Sequence, residues 1–440
     1  MTKYSMLSAP DFMPVDRLRA IQNRKFLGVF RRTYENVPWY RELLAKNNVD
    51  PNSIQSLADI SKLPFIKKTD LRDTYPNGML ATAMDKIVRY HASSGTTGKP
   101  IVVPYTREDL DVWSECVSRC LTAYGLDESD VLQVGYGYGL FTGGLGLHDG
   151  GTRRGCTVVP VSGGNTERHL MLIQDLQVTA VACTPSYFLH VIDLADKVGY
   201  DWKATKLRVG IFGAEPWTEE MRRFIEAKTG IRAYDIYGLT EISGPGVGGE
   251  CSCRTGVHIF EDHFYPEIVD PDTLQPLPDG EMGELVFTTL DKTGMPIIRY
   301  RTRDITKLVA EPCPCGRTIR RIARISHRSD DMMIIRGVNV FPGQVESSLL
   351  AVDPGLVNYQ IHLSKGADGL DVIEVRVELT REKFSELGDN TASLEKFRRQ
   401  IAEKLKSTVG INFKTTLVEP DSMPRSQGKI KRIFDDRNQQ

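Results

Sequence analysis

The sequence predicts an α/β protein: a large amino-terminal unit of parallel α/β sheets with a small β-barrel-like subdomain, followed by a small α+β unit. Three observations predict it. Between about 131 and 240, short β-branched runs (VLQVGYGY, CTVVPV, VTAVACTP, LRVGIFGA, RAYDIYG) alternate with amphipathic segments such as TERHLMLIQDLQ and TEEMRRFIEAKTG, the alternation that builds a parallel sheet under covering helices. Between about 258 and 325 the apolar runs are denser and separated by turns (PEIVD, GELVFTTL, IIRYRTRDITKLV), as in an antiparallel sheet or small barrel. After HRSDDMMIIRG, the last hundred or so residues hold helix, hairpin, helix and strand candidates (FPGQVESSLLAV, YQIHLSKGADGLDVIEVRVEL, SLEKFRRQIAEKLKS, KTTLVE).

Length agrees, because 440 residues exceed one ordinary core and suit two or three domains. Residues 1 to about 90 read as helical and peripheral: Leu18, Ile21, Phe26 and Val29 recur at helical spacing, and Pro38, Pro64 and Pro76 mark loops. No chemistry stands out there. A formal net charge of -1 argues against nucleic acid or an anionic membrane as the main partner. The first residues show no signal-peptide pattern, and no run of about 18 apolar residues follows that could span a bilayer, so the expected compartment is the cytoplasm. Of the eight cysteines, Cys116, Cys120, Cys156 and Cys183 lie in apolar segments and read as core, whereas Cys251 with Cys253 and Cys313 with Cys315 form two CxC pairs.

The string SSGTTGKP, from Ser93 through Ser94, Gly95, Thr96, Thr97, Gly98 and Lys99 to Pro100, joins two strand-like runs. Glycines let backbone N–H groups approach phosphate oxygens, the hydroxyls add donors, and Lys99 adds positive charge. A plain polar turn has a similar composition. The Walker A loop does not match, since it needs four residues between its glycines and Ser or Thr directly after the lysine; here Gly95 and Gly98 have two residues between them and Pro100 follows Lys99.

The loop instead resembles the phosphate-binding signature of the adenylate-forming superfamily. Four further superfamily signatures follow in order: YGLTE (Tyr237 to Glu241), YRTRD (Tyr300 to Asp304), HRSDD (His327 to Asp331) leading into RGVNVFP, and PRSQGK (Pro424 to Lys429). Within the superfamily, YGYGLFTGGLG (Tyr136 to Gly146), GAEPW (Gly213 to Trp217) and FEDHFYPE (Phe260 to Glu267) resemble the phenylacetate-CoA ligase group. The resemblance implies ATP-dependent activation of a carboxylate to an acyl-adenylate, with pyrophosphate released, then displacement of AMP by the coenzyme A thiol. Negative charge builds on the phosphate in the first step, so donors and cations must converge there.

By the same resemblance Lys429 is the catalytic lysine, Glu241 helps hold Mg²⁺, and Thr240 contacts the α-phosphate region. Asp304 accepts the ribose hydroxyls, and Arg328 also approaches the ribose. Asp235, Ile236, Tyr237 and the stretch Gly213, Ala214, Glu215 flank the adenine and ribose. In the superfamily a mobile C-terminal domain rotates between the two half-reactions. This places the boundary between 1–329 and 330–440, with Asp330 as hinge and Gly337 at the coenzyme A tunnel. His327 stands where the family usually has Gly, which would restrict the backbone if that glycine has positive φ.

Tyr136 and Phe141 follow the strand VLQVG, where α/β sheets place ligands, and with Ala214 and Pro245 they are the expected acyl pocket for a flat acid. Cys251, His258, Cys313 and Cys315 are the expected set for a structural Zn²⁺, with Cys253 as spare, a pattern resembling relatives that carry such a metal. Other readings remain: an adenylyltransferase that stops at nucleotidyl transfer, and a non-catalytic nucleotide-binding homologue. A homodimer is the expected assembly.

Overall fold

The computed structural model of the chain describes residues 8–93, 100–329, 331, 333–336, 338–366, 370–388, 390–424 and 431–437. Helices α1 (Val15–Asn36), α2 (Pro38–Lys46) and α3 (Lys68–Asp73) occupy the amino-terminal region, with Leu18, Phe26 and Val29 on the buried face of α1. The hairpin β1 (Ile87–Ala92) and β2 (Val102–Thr106) then brackets the SSGTTGKP segment. Ser93 closes its base, donating from its backbone N to the Ile101 carbonyl at 2.9 Å.

Helix α4 (Arg107–Ala123) starts at a reciprocal cap. Asp109 N donates to Thr106 Oγ1 at 3.1 Å, and Thr106 N donates to Asp109 Oδ2 at 2.9 Å, so two otherwise orphaned backbone donors are satisfied. The chain continues through β3 (Val131–Val134), α5 (Thr142–Arg154), β4 (Thr157–Val159), α6 (Thr166–Asp175), β5 (Ala180–Cys183), α7 (Pro185–Val198), β6 (Val209–Gly213), α8 (Glu219–Thr229) and β7 (Arg232–Leu239). Thr184 and Thr218 cap α7 and α8, and Gly199 and Gly230 end them in the left-handed region.

Strands β8 (Gly244–Gly249) and β9 (Val257–Ile259) extend this sheet in antiparallel fashion. Next come β10 (Phe264–Val269), β11 (Gly283–Thr289), β12 (Tyr300–Thr306), β13 (Leu308–Val309), β14 (Arg321–Ile322) and β15 (His327–Arg328). The result is one nine-stranded mixed sheet, in the order β13-β14-β9-β8-β7-β6-β5-β3-β4, in place of several parallel sheets. Its parallel half is β7-β6-β5-β3-β4, as the alternation predicts. Beside it lies a four-stranded antiparallel sheet, β10-β11-β12-β15, the sheet alternative of the expected subdomain.

Residues 142–146 form the first turns of α5 although three glycines stand in LFTGGLGL. The glycines serve packing: a Cβ at Gly146 would lie 2.4 Å from the Trp113 ring, and one at Gly150 would lie 2.3 Å from Val117. Close approach of α5 to α4 therefore offsets the roughly 1 kcal/mol that each helical glycine costs.

The C-terminal domain has its own core. It contains β16 (Met333–Ile335), β17 (Val338–Val340), α9 (Pro342–Val352), β18 (Tyr359–Lys365), β19 (Asp371–Glu378), α10 (Arg381–Leu387), α11 (Thr391–Val409), β20 (Lys414–Val418) and β21 (Ile433–Asp435). The four expected elements are present, joined by the short α10, β21 and the β16–β17 pair. Leu350 of α9 joins the hydrophobic cluster of α7 and α8, and Lys197 Nζ of α7 lies 2.5 Å from Asp421 Oδ1. Among the described residues, no helix is long and apolar enough to cross a membrane.

Candidate active site

The predicted residues gather at the carboxyl ends of β3, β6 and β7, where open α/β sheets form their ligand crevice. The segment after β3 carries Tyr136 and Phe141, the end of β6 carries Gly213, Ala214 and Glu215, and β7 carries Asp235, Ile236 and Tyr237 with Thr240 and Glu241 just beyond. The β1 stem joins them: Ala92 N and His91 Nδ1 both donate to the Leu140 carbonyl, at 2.8 and 3.0 Å. The base of the SSGTTGKP segment and the Tyr136–Phe141 segment are therefore stitched to one oxygen. Ser94 to Lys99, Asp330, Gly337 and Lys429 lie outside the described residues.

Three residues from three separate motifs meet around one carboxylate. Tyr237 Oη donates to Asp304 Oδ2 at 2.5 Å, and Arg328 Nη1 donates to Asp304 Oδ1 at 3.2 Å. Burial, then the Asp304 charge, pushes the Tyr237 phenol well above its ordinary value, so it remains a donor. His327 adopts the extended backbone of β15 that any residue can take, and its ring lies 3.8 Å from that of Phe341, tilted by 38°. The expected restriction at this position is therefore absent.

Thr240 and Glu241 are both 6% exposed, a buried hydroxyl and carboxylate at the mouth of the crevice. Thr240 Oγ1 lies 3.4 Å from Thr142 Oγ1. Lys68 Nζ, at the start of α3, stands 4.0 Å from Glu241 Oε1. This overturns the reading of residues 1–90 as peripheral. Nothing in KKTDLRD distinguishes Lys68 from an ordinary solvated lysine, because only the tertiary fold brings α3 to the end of β7. Another lysine, Lys292, is buried and likewise carries no local sequence signal; its Nζ donates to the Ile242 carbonyl at 2.7 Å, and burial pulls its ammonium down to about 8.

Other predicted residues are placed as follows. Ala214 has φ +70°, the left-handed region that non-glycine residues seldom occupy and that recurs at functional sites. Glu215 Oε1 accepts from Ser186 N at 2.7 Å, at the positive end of α7. Burial, and then the Glu250 charge, lifts the Asp235 carboxyl to about 6. Tyr136 is buried and Phe141 half-buried, and a Cβ at Gly143 would lie 2.7 Å from the Phe141 ring, so glycine there makes room for it. Trp113 Nε1 donates to the Pro245 carbonyl at 2.7 Å and ties β8 to α4.

Cys251, His258, Cys313 and Cys315 converge, their ligand atoms all within 4.8 Å of one another, and Cys253 stays outside the group. Cys251 Sγ lies 3.6 Å from Cys313 Sγ, and Cys315 Sγ lies 3.5 Å from His258 Nε2. Tetrahedral zinc with bonds of about 2.3 Å to sulfur and about 2.0 Å to nitrogen requires S–S and S–N edges of roughly 3.5–3.8 Å. The four side chains fit that ion. The Ile319 carbonyl, 3.3 Å from Nδ1, orients the His258 ring with Nε2 toward the thiols. The Cys251 thiol donates toward Cys315, which raises Cys251 and lowers Cys315, so one thiolate is already favoured. Glu115, Asp262 and His263 form another close group. There Arg119 forks onto Asp262 at 2.9 and 3.0 Å, and a guanidinium in that position makes the group an ion-pair network.

Comparison with known proteins gives a consistent result. Residues 38–290 match the family described as AMP-binding enzyme, and residues 337–437 match the AMP-binding enzyme C-terminal domain. Phenylacetate-coenzyme A ligase from Thermus thermophilus is 48% identical over 434 residues, covering 96% of this chain and 97% of that protein. The enzyme of the same name from Aromatoleum evansii is 49% identical over 426 residues, covering 96% and 95%. Among solved structures, 2-hydroxyisobutyryl-CoA ligase with 2-HIB-AMP in the postadenylation state superposes with a TM-score of 0.90 at 26% identity, covering 98% of this chain and 92% of that one. The same ligase with 2-HIB-AMP and CoA in its thioesterification state gives 0.71 at 27% identity over the same shares. The chain therefore belongs to the phenylacetate-coenzyme A ligase family of adenylate-forming enzymes, the AMP-forming acid:CoA ligases.

Proposed function

We propose that the chain joins an aromatic or arylacetic acid, phenylacetate first among them, to coenzyme A through an acyl-adenylate, with AMP and pyrophosphate as products. The observation that carries the reading is the Tyr237–Asp304–Arg328 cluster, a buried acceptor oriented by two donors beside Thr240 and Glu241. A ribose needs such an acceptor. The four phenylacetate-coenzyme A ligases at 46–49% identity support the choice of acid.

In this reading Ser93 to Lys99 wrap the ATP phosphates, Gly213, Ala214, Glu215, Asp235, Ile236 and Tyr237 flank the nucleoside, and Tyr136, Phe141, Ala214 and Pro245 hold the acid. Glu241 offers one carboxylate, which suits Mg²⁺ only together with substrate phosphates. That ion would neutralise phosphate charge as the bond to pyrophosphate breaks. Lys429 approaches the acid oxygen and the α-phosphate for adenylation and withdraws for thioester formation. The domain boundary lies near 330, with Asp330 as hinge and Gly337 at the thiol tunnel. The higher TM-score with the postadenylation structure supports an arrangement of the two domains like that state. Cys251, His258, Cys313 and Cys315 would hold zinc with no open position, so the ion would brace the loops and take no part in the reaction. A cytoplasmic homodimer completes the proposal.

The test is a panel of carboxylic acids assayed for pyrophosphate release with and without coenzyme A. Highest turnover with arylacetic acids and AMP release that depends on coenzyme A are expected. AMP release indifferent to coenzyme A would favour an adenylyltransferase. Single-turnover assays of Lys429→Ala check the division of labour: adenylation should vanish while thioester formation from supplied acyl-AMP survives, and equal loss of both would refute it.

A further inference from the structure

Lys292 is a buried cation beside the site to which none of these roles falls. It is 7% exposed, lies between β11 and β12, and donates through Nζ to the carbonyls of Ile242 at 2.7 Å and Glu241 at 3.3 Å. The same ammonium rests 4.8 Å from the centre of the Tyr105 ring. Tyr105 Oη in turn donates to the Thr240 carbonyl at 3.5 Å. Three successive carbonyls, those of Thr240, Glu241 and Ile242, thus end on two side chains from other elements.

The support beneath Lys292 is rigid. The Asp109 carboxylate accepts from Thr293 N at 2.7 Å and Gly294 N at 3.0 Å, which ties the segment carrying Lys292 to the first turn of α4. The cavity beside Lys292 is only about 20 Å³. Both hydrogen bonds of the ammonium go to backbone carbonyls, so Lys292 acts through the backbone it holds. Neighbouring carbonyls directed at one interior point repel unless a cation receives them, and the ammonium fixes both peptide planes from which the Glu241 side chain departs.

We propose that Lys292 is a positioning residue for the adenylation half-reaction: by holding the Glu241 and Ile242 carbonyls it aims the Glu241 carboxylate and Thr240 hydroxyl at the phosphates. The inference rests on the reading of Glu241 as the acid on the Mg²⁺ side. Lys292→Met keeps the apolar stem and removes the charge. It should raise the metal concentration for half-maximal pyrophosphate release by about tenfold or more, the size of one lost charge-assisted hydrogen bond. Mn²⁺ binding to the enzyme with a non-hydrolysable ATP analogue, read by electron paramagnetic resonance, should weaken by a similar factor. Thioester formation from supplied acyl-AMP should change less than about twofold, since both interactions act only on the first step. Lys292→Gln, which retains one donor, should fall between and serves if the methionine variant folds poorly, with rates taken per folded molecule. Equal loss of both half-reactions, or an unchanged metal curve, overturns the proposal. Glu241→Gln runs alongside: if it leaves the metal curve in place, the assignment of Glu241 fails, and Lys292 is then judged by the split between half-reactions alone.

Discussion

Asp304 and Arg328 stand directly opposite each other in the β12–β15 pair, and the guanidinium donates to the carboxylate across that pairing at 3.2 Å. Two motifs 24 residues apart are thereby fixed by strand register, and a slip of one strand by one residue would leave the two side chains on opposite faces. Asp304→Ala should raise the KM for ATP about tenfold or more, as expected when hydrogen bonds to a charged acceptor are lost. It should weaken acyl-AMP equally and leave the KM for the acid nearly unchanged. Steady-state kinetics in each substrate checks this.

Phe141→Ala should raise the KM of the aryl acid far more than that of ATP, because the ring packs over Gly143 in the segment proposed to hold the acid. Equal rises would place Phe141 elsewhere in the reaction.

Lys68→Met should slow pyrophosphate formation and spare thioester formation from supplied acyl-AMP. Its ammonium lies 4.0 Å from the Oε1 of Glu241, the acid proposed to face the phosphates, so its charge would offset negative charge that builds there. A loss of about tenfold is expected for one partly exposed cation. Stopped-flow pyrophosphate detection measures it.

Zinc should copurify at one ion per chain, and its removal by a strong chelator should lower the melting temperature and leave the ATP KM unaltered. Cys315→Ser should do the same, since a bound ion would join segments 62 residues apart through Cys251 and Cys313. Elemental analysis and calorimetry together test this.

Asp421→Asn should loosen the contact of the C-terminal domain with α7, where Lys197 Nζ reaches Asp421 at 2.5 Å. The pair is partly exposed, so a shift of up to about fivefold in the ratio of the two half-reaction rates is expected. Hydrogen bonds from Lys197 and Arg381 hold the Asp421 carboxyl down at about 2. A depressed carboxyl keeps its contribution above the ordinary carboxylate range and loses it only as pH falls through that low value. The effect of the substitution should accordingly be the same at pH 8 and pH 5.5.

The alternation of β-branched runs and amphipathic segments was enough to place β3 to β7 with α6 and α8 between them, because each carries its own periodicity and caps, as Thr218 and Gly230 do for α8. The order of five motifs named the chemistry, and two CxC pairs with His258 named four side chains that do converge. Tertiary structure alone decided what those local signals cannot hold. The helix through the glycines of α5 exists because Trp113 and Val117 press against it, which no propensity encodes. Lys68 and Lys292 look like any lysine in the chain until folding brings one beside the Glu241 carboxylate and the other beneath its carbonyl. Sequence records periodicity and residue type over short distances, whereas the surroundings of a charge are set by segments far apart in the chain.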